Sequence, residues 1–238
     1  MTRPLPVLVE SCDYFLRQSR AALARGELVS ASRAGWQAAV CATADYAGPD
    51  VDFTDGARRL VKDSLGNGNA AEWAVSAMAL SDNVEYGWLD RDGIARRLDD
   101  VQRLAILVKD IADPPQSADD TLSRAWECMD NGCLAVASEK GWEAATYAAK
   151  TYAKAMGHDH IRSNYLSQVT RYLKQEPDGN KAGNWSISAK LLLDNAHAKP
   201  DWLDAELIGN DLDDVSKLVA LVKAAVENRD KSQRSRNV

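Results

Sequence analysis

Gly26-Glu27-Leu28-Val29-Ser30-Ala31-Ser32-Arg33-Ala34-Gly35-Trp36-Gln37-Ala38-Ala39 returns 106 positions on, without a gap, as Gly132-Cys133-Leu134-Ala135-Val136-Ala137-Ser138-Glu139-Lys140-Gly141-Trp142-Glu143-Ala144-Ala145. Tyr46-Ala47 recurs as Tyr152-Ala153 at the same offset. Further along, Trp88-Leu89-Asp90 recurs as Trp202-Leu203-Asp204, and Leu98-Asp99-Asp100-Val101 as Leu212-Asp213-Asp214-Val215. Trp73 and Trp185 also correspond, so only Trp126 of the seven tryptophans stands outside a pair. Solenoid repeats run about 20–50 residues. A period this long therefore reads as one domain duplicated. Two similar domains in tandem are expected to pack as an internal pseudo-dimer with a shared interface.

The apolar periodicity is helical throughout, and Ala, Leu, Glu, Lys and Arg fill the periodic segments. In the first unit it predicts helices over Val9 to Arg25, Leu28 to Ala47, Phe53 to Leu65, Ala70 to about Val84, and Ile94 to Ile111. In the second it predicts Leu122 to Asn131, Leu134 to Met156, Ile161 to Lys174, Trp185 to about His197, and Leu212 to Val226. Gly26 ends the first helix, and Gly48-Pro49 stops the second. Ala31, Gly35 and Ala39 share one face at four-residue spacing, which lets helix backbones approach closely. The expected fold is all-α: a bundle of about five helices over residues 1–112, a linker over 113–120, a second bundle over 121–227 and a polar tail over 228–238. Pro114 and Pro115 stiffen the linker, and Ser117 and Asp119 are candidate N-caps for the helix after it.

A net charge of −6 argues against general affinity for a nucleic-acid backbone, which needs an excess of Lys and Arg. No apolar run approaches the ~20 residues that span a bilayer. Pro4 to Val9 is too short for a secretory core, so a cytoplasmic protein is expected. Cys12, Cys41, Cys128 and Cys133 are not repeated between the halves and form no C-x-x-C, so they read as reduced apolar residues. No Gly-rich phosphate loop, nucleophile elbow or metal-ligand spacing is present. Neither a cofactor nor a metal is expected. Asp99-Asp100 and Asp213-Asp214 read as charge in a helix first turn, and the three tryptophan pairs as core anchors.

Five helices per unit, the stretch from Ser138 to Ala145, and an Asn followed by Trp-Leu form a combination that resembles the HEPN superfamily, in particular its archaeal repeat-protein branch, PaREP. The Trp-Leu segment reads Leu80-Ser81-Asp82-Asn83-Val84-Glu85-Tyr86-Gly87-Trp88-Leu89 in the first unit. In the second, Leu193 to Leu203 carries it with altered spacing. The resemblance implies a helical bundle, and in many members a ribonuclease site of Arg, four to six intervening residues and then His, doubled across a dimer interface. An imidazole there exchanges a proton with the ribose 2′-hydroxyl while a guanidinium holds the phosphate. This chain departs from that pattern. No Arg precedes His158, His160 or His197 at that spacing; Lys154 precedes His160 and Lys190 precedes His197, each without the bidentate fork. The first unit has no His.

The candidate binding residues are Glu139, Lys140, Lys190 and His197. Each also has a plainer reading. Glu139 and Lys140 sit on a solvated helix face, Lys190 is solvated, and His197 follows a helix end. No catalytic residue is assigned. The expected function is a non-catalytic binding or protein-interaction module for an unknown protein or small-molecule ligand, without a membrane or nucleic-acid partner. The rivals are a HEPN-like ribonuclease with a degenerate Lys190/His197 site, and an acidic antitoxin or immunity protein that neutralises a basic partner.

Overall fold

The computed structural model describes residues 6–64, 69–157, 165–199 and 202–236. Ten α-helices carry the described chain, and no strand occurs among the described residues: α1 Pro6–Ala24, α2 Leu28–Ala47, α3 Phe53–Asp63, α4 Asn69–Tyr86, α5 Arg91–Ala112, α6 Ala118–Asp130, α7 Leu134–Ala155, α8 Tyr165–Leu173, α9 Ala182–Ala196 and α10 Ala205–Arg236. A single 3₁₀ turn at Gly179–Lys181 precedes α9. The predicted ends fall within a few residues of these, except that the start expected at Ile161 lies outside the described residues, and that the last helix starts at Ala205 rather than Leu212 and continues past Val226 to Arg236. Its extension is rich in Glu, Lys, Arg and Gln, which lose little rotamer freedom in a helix.

Helix ends follow from local chemistry. Asp52 Oδ1 accepts from Asp55 N at 3.0 Å and starts α3. Asp90 Oδ1 accepts from Gly93 N at 2.7 Å and starts α5. Ser117 Oγ accepts from Asp120 N at 3.1 Å, so Ser117 caps α6 and Asp119 falls inside its first turn. Gly26 and Gly132 hold positive φ (+78° and +72°) in the turns after α1 and α6, a region that L side chains rarely adopt.

Two compact units divide the chain: 1–114 with 131–133, and 115–130 with 134–238. In the first, α2 packs against α1, α3, α4 and α5, and α4 packs on α5. Leu16, Leu60, Leu80, Ile94, Leu98, Val101 and Leu104 form its core. Small residues on α2 make this possible. A Cβ at Gly35 would stand 2.5 Å from Leu98 Cδ2 and 2.9 Å from Leu80 Cδ1. Trp36, half-buried, meets Phe53 edge-on with ring centroids 4.6 Å apart. Near the other end of the core, Arg20 pairs with buried Asp99 and donates to Cys133 Sγ at 3.2 Å, while Arg17 donates to Asn131 Oδ1 at 3.0 Å.

In the second unit α7 packs against α6, α8, α9 and α10, and α9 packs on α10. Its core holds Leu173, Leu192, Ile208, Leu212, Val215 and Leu218. A Cβ at Gly141 would collide with Leu212 Cδ2 and come within 2.7 Å of Leu192 Cδ1.

The structure corrects the reading of two features. Asp99 and Asp100 lie well inside α5, and Asp213 and Asp214 well inside α10, so neither pair is first-turn charge. The second aspartate of each pair instead accepts from a serine on the preceding helix. Ser76 Oγ donates to Asp100 at 2.6 Å, and Ser188 Oγ to Asp214 at 2.9 Å. A cation three residues on completes each arrangement, Arg103 at 3.2 Å and Lys217 at 2.8 Å. Trp88 and Trp202 are likewise not core anchors: they are 55% and 71% exposed. Arg97 lies over the Trp88 ring at 5.5 Å and Lys199 over the Trp202 ring at 4.8 Å. The leucine that follows Trp88, Leu89, is buried instead.

Candidate functional site

The second unit carries an apolar groove. The α7 helix contributes Trp142 and Thr146, α8 contributes Leu166 and Ser167, and α9 contributes Ser186, Ile187, Lys190 and Leu193. Its volume is about 620 Å³, within the range of small-ligand sites. The α9 residues fall at 186, 190 and 193, one face of a helix, with Ile187 on its shoulder. Trp142 and Thr146 are four apart and share a face of α7. The groove lies where α7, α8 and α9 meet.

The lining is mostly hydrocarbon, with few polar groups. Lys190 is the one cation that lines the groove among the described residues. Ser186 Oγ donates to Gly183 O at 2.7 Å and is thereby satisfied within its own helix. Thr146 Oγ1 has no hydrogen-bond partner among the described residues. A buried hydroxyl without a partner is costly and is relieved by a ligand acceptor or donor. No carboxylate, imidazole or thiol lines the groove among the described residues; its polar groups there are the Thr146, Ser167 and Ser186 hydroxyls and the Lys190 ammonium.

The sequence candidates are scattered relative to this groove. Lys190 lines it. Glu139 and Lys140, half-buried near the start of α7, do not; Lys140 pairs with Glu143 at 2.7 Å. His197 is the exposed C-cap of α9, its N–H directed at the carbonyls of Asp194 and Asn195. Seven helical residues separate Lys190 from His197, about 10 Å along the axis. His158 and His160 lie outside the described residues. Sequence reasoning missed Thr146, Leu166, Ile187 and Leu193, whose role depends on which helix faces α8 leaves open.

Charge elsewhere is structural. Burial pushes the thiols of Cys12, Cys41 and Cys133 up from their ordinary range, so they stay protonated at neutral pH and are poor nucleophiles. Burial also raises the carboxyls of Asp45, Asp100 and Asp211, which for Asp100 outweighs the opposing pull of Ser76 and Arg103. No group of three or more His, Cys, Asp or Glu among the described residues is placed to hold a metal ion. No described helix is long and apolar enough to cross a membrane.

Fold and site together define a protein that is helical over the described residues, with a mostly apolar groove that Lys190 lines. Comparison of the chain with protein-family models, with curated proteins and with solved structures finds no match in any of the three.

Proposed function

We propose that the protein is a non-catalytic binding module whose ligand seats in the groove between α7, α8 and α9, with an apolar body against Trp142, Leu166, Ile187 and Leu193 and an anionic group at Lys190. One observation carries the reading: a groove of ligand size is lined, among the described residues, mostly by hydrocarbon with a few hydroxyls, one cation and no carboxylate, imidazole or thiol. The same reading takes the chain as two copies of one HEPN-like five-helix bundle. Supporting it are the glycine that admits a leucine pair in each unit (Gly35 with Leu80 and Leu98, Gly141 with Leu192 and Leu212) and the Ser–Asp–cation arrangement found in both. Against a ribonuclease stands the missing Arg: the cation at the permitted spacing before His197 is Lys190, which lacks the bidentate fork.

The probe for the site is 1-anilinonaphthalene-8-sulfonate, an aromatic body bearing one anionic group. Its fluorescence is expected to rise saturably with the stoichiometry of one site. Lys190→Glu should weaken binding about tenfold, the worth of one charge-assisted contact. Ile187→Glu should abolish it with the far-UV circular dichroism unchanged. Non-saturable binding, or binding indifferent to both substitutions, would remove the groove as the ligand site.

A further inference from the structure

The α4 and α9 helices each leave an apolar stripe in water. On α4 it runs through Val75, Met78 and Tyr86, which are 64%, 47% and 68% exposed. On α9 it runs through Ile187 and Leu191, 60% and 47% exposed, beside the groove. Single exposed apolar residues are ordinary. These are aligned: 75, 78, 82 and 86 form one face of α4, and 187, 190, 191 and 194 one face of α9.

The net charges that rim the two stripes differ in sign, although the α9 stripe includes Asp194. From Asn69 to Tyr86 the chain carries Glu72, Asp82 and Glu85 and no Lys or Arg. All three carboxylates are exposed. From Ala182 to Lys199 it carries Lys190 and Lys199 with Asp194 as the sole carboxylate. Lys190 sits among the exposed apolar residues of α9, and Asp82 one turn beyond Met78 on α4. Pairing α4 with α4 would oppose three carboxylates to three, and pairing α9 with α9 would leave the acidic α4 stripes exposed. Pairing α4 with α9 buries both stripes and joins opposite charges. Like-charge juxtaposition suppresses wrong pairings while complementary rims fix the right one.

We propose that the occupant of the α9 face and its groove is the α4 face of a second copy of this chain, so that the protein self-associates head to tail. The inference rests on the binding-module reading of the same groove and adds its partner. The contact is heterologous: each copy offers an acidic apolar face and a basic apolar face, and association proceeds to a closed ring or an open chain.

Sedimentation equilibrium of the full chain tests this. The weight-average mass is expected to rise above 26.0 kDa with protein concentration and to fall back with added salt. Asp82→Lys/Glu85→Lys and Lys190→Glu each place like charges across the contact. Each alone should associate at least about tenfold more weakly than wild type. An equimolar mixture of the two should associate again, because the unaltered α4 of Lys190→Glu meets the unaltered α9 of the other variant and the two reversed faces meet each other. Both sites are exposed, and unchanged far-UV circular dichroism confirms that the variants fold. Wild type that stays at 26.0 kDa throughout, or variants that fail to complement on mixing, would overturn the proposal. The two readings fail separately. Sulfonate-probe binding measured on monomeric Asp82→Lys/Glu85→Lys persists if only the self-association is wrong, and is absent if the groove is not a site.

Discussion

At the scale of single residues, two glycines decide how closely helices approach. Gly35 lies under the buried side chains of Leu80 and Leu98, and no Cβ fits there without moving them. Crowding a packed core costs about 1–3 kcal/mol, while Gly→Ala in a helix returns about 1 kcal/mol. Gly35→Ala should therefore lose about 1 kcal/mol in chemical denaturation. Gly209→Ala, in the open on α10, should gain roughly 0.5–1 kcal/mol. Equal and stabilising effects at both would show that α2 has room for the methyl. Asp45 gives a pH signature. Burial holds its carboxyl above the ordinary aspartate value, so the folded chain binds this proton more tightly than the unfolded chain does. Its charged form thus opposes folding above the raised value, and the penalty fades as pH falls through it. Asp45→Asn should stabilise the protein at pH 7, and the gain should vanish in acid below the ordinary aspartate value. A gain that persists unchanged in acid would assign the effect to something other than charge.

Elements are joined by a few buried polar contacts. Asn83, near the end of α4, donates to Ser32 Oγ at 2.8 Å and accepts from Leu89 N at 2.5 Å. It thereby ties α2 to the turn that leads into α5, and places Leu89 in the core while Trp88 faces water. Asn83→Ala strands a buried backbone N–H and a serine hydroxyl. The expected cost is about 2 kcal/mol, with a matching loss of amide-exchange protection at Leu89. Protection unchanged at Leu89 would mean that the turn holds itself without the asparagine. The second unit departs here: Ser138 Oγ has no hydrogen-bond partner among the described residues, and Asn195 is only half-buried.

For the whole molecule the decisive quantity is what the charge and the histidines permit. With a net charge of −6 and no Arg at the spacing that a HEPN nuclease site uses, purified protein should leave single-stranded RNA uncut. His197→Ala should change nothing in that assay. Acid–base help from a histidine is worth roughly 10²–10⁴-fold. Cleavage that survives purification and falls by such a factor in His197→Ala would replace the binding module with an enzyme.

The sequence by itself determined the helices. Leu98, Val101, Leu104 and Val108 repeat at three- and four-residue steps, and Gly26, Gly48 and the proline pair after α5 mark the breaks. These are local properties, written in periodicity and in the φ angles that glycine and proline allow. The sequence also marked Lys190 as a candidate before any neighbour was known. Only the tertiary structure decided which apolar side chains are covered. Trp36 and Trp88 are the same residue type in similar company, yet one meets Phe53 and the other meets water and Arg97. The groove is assembled from three helices, α7, α8 and α9, that no local pattern brings together. The two Asp pairs took their roles from serines more than twenty residues away. Burial depends on contacts between segments distant in the chain, and periodicity along one helix reports only which residues share a face.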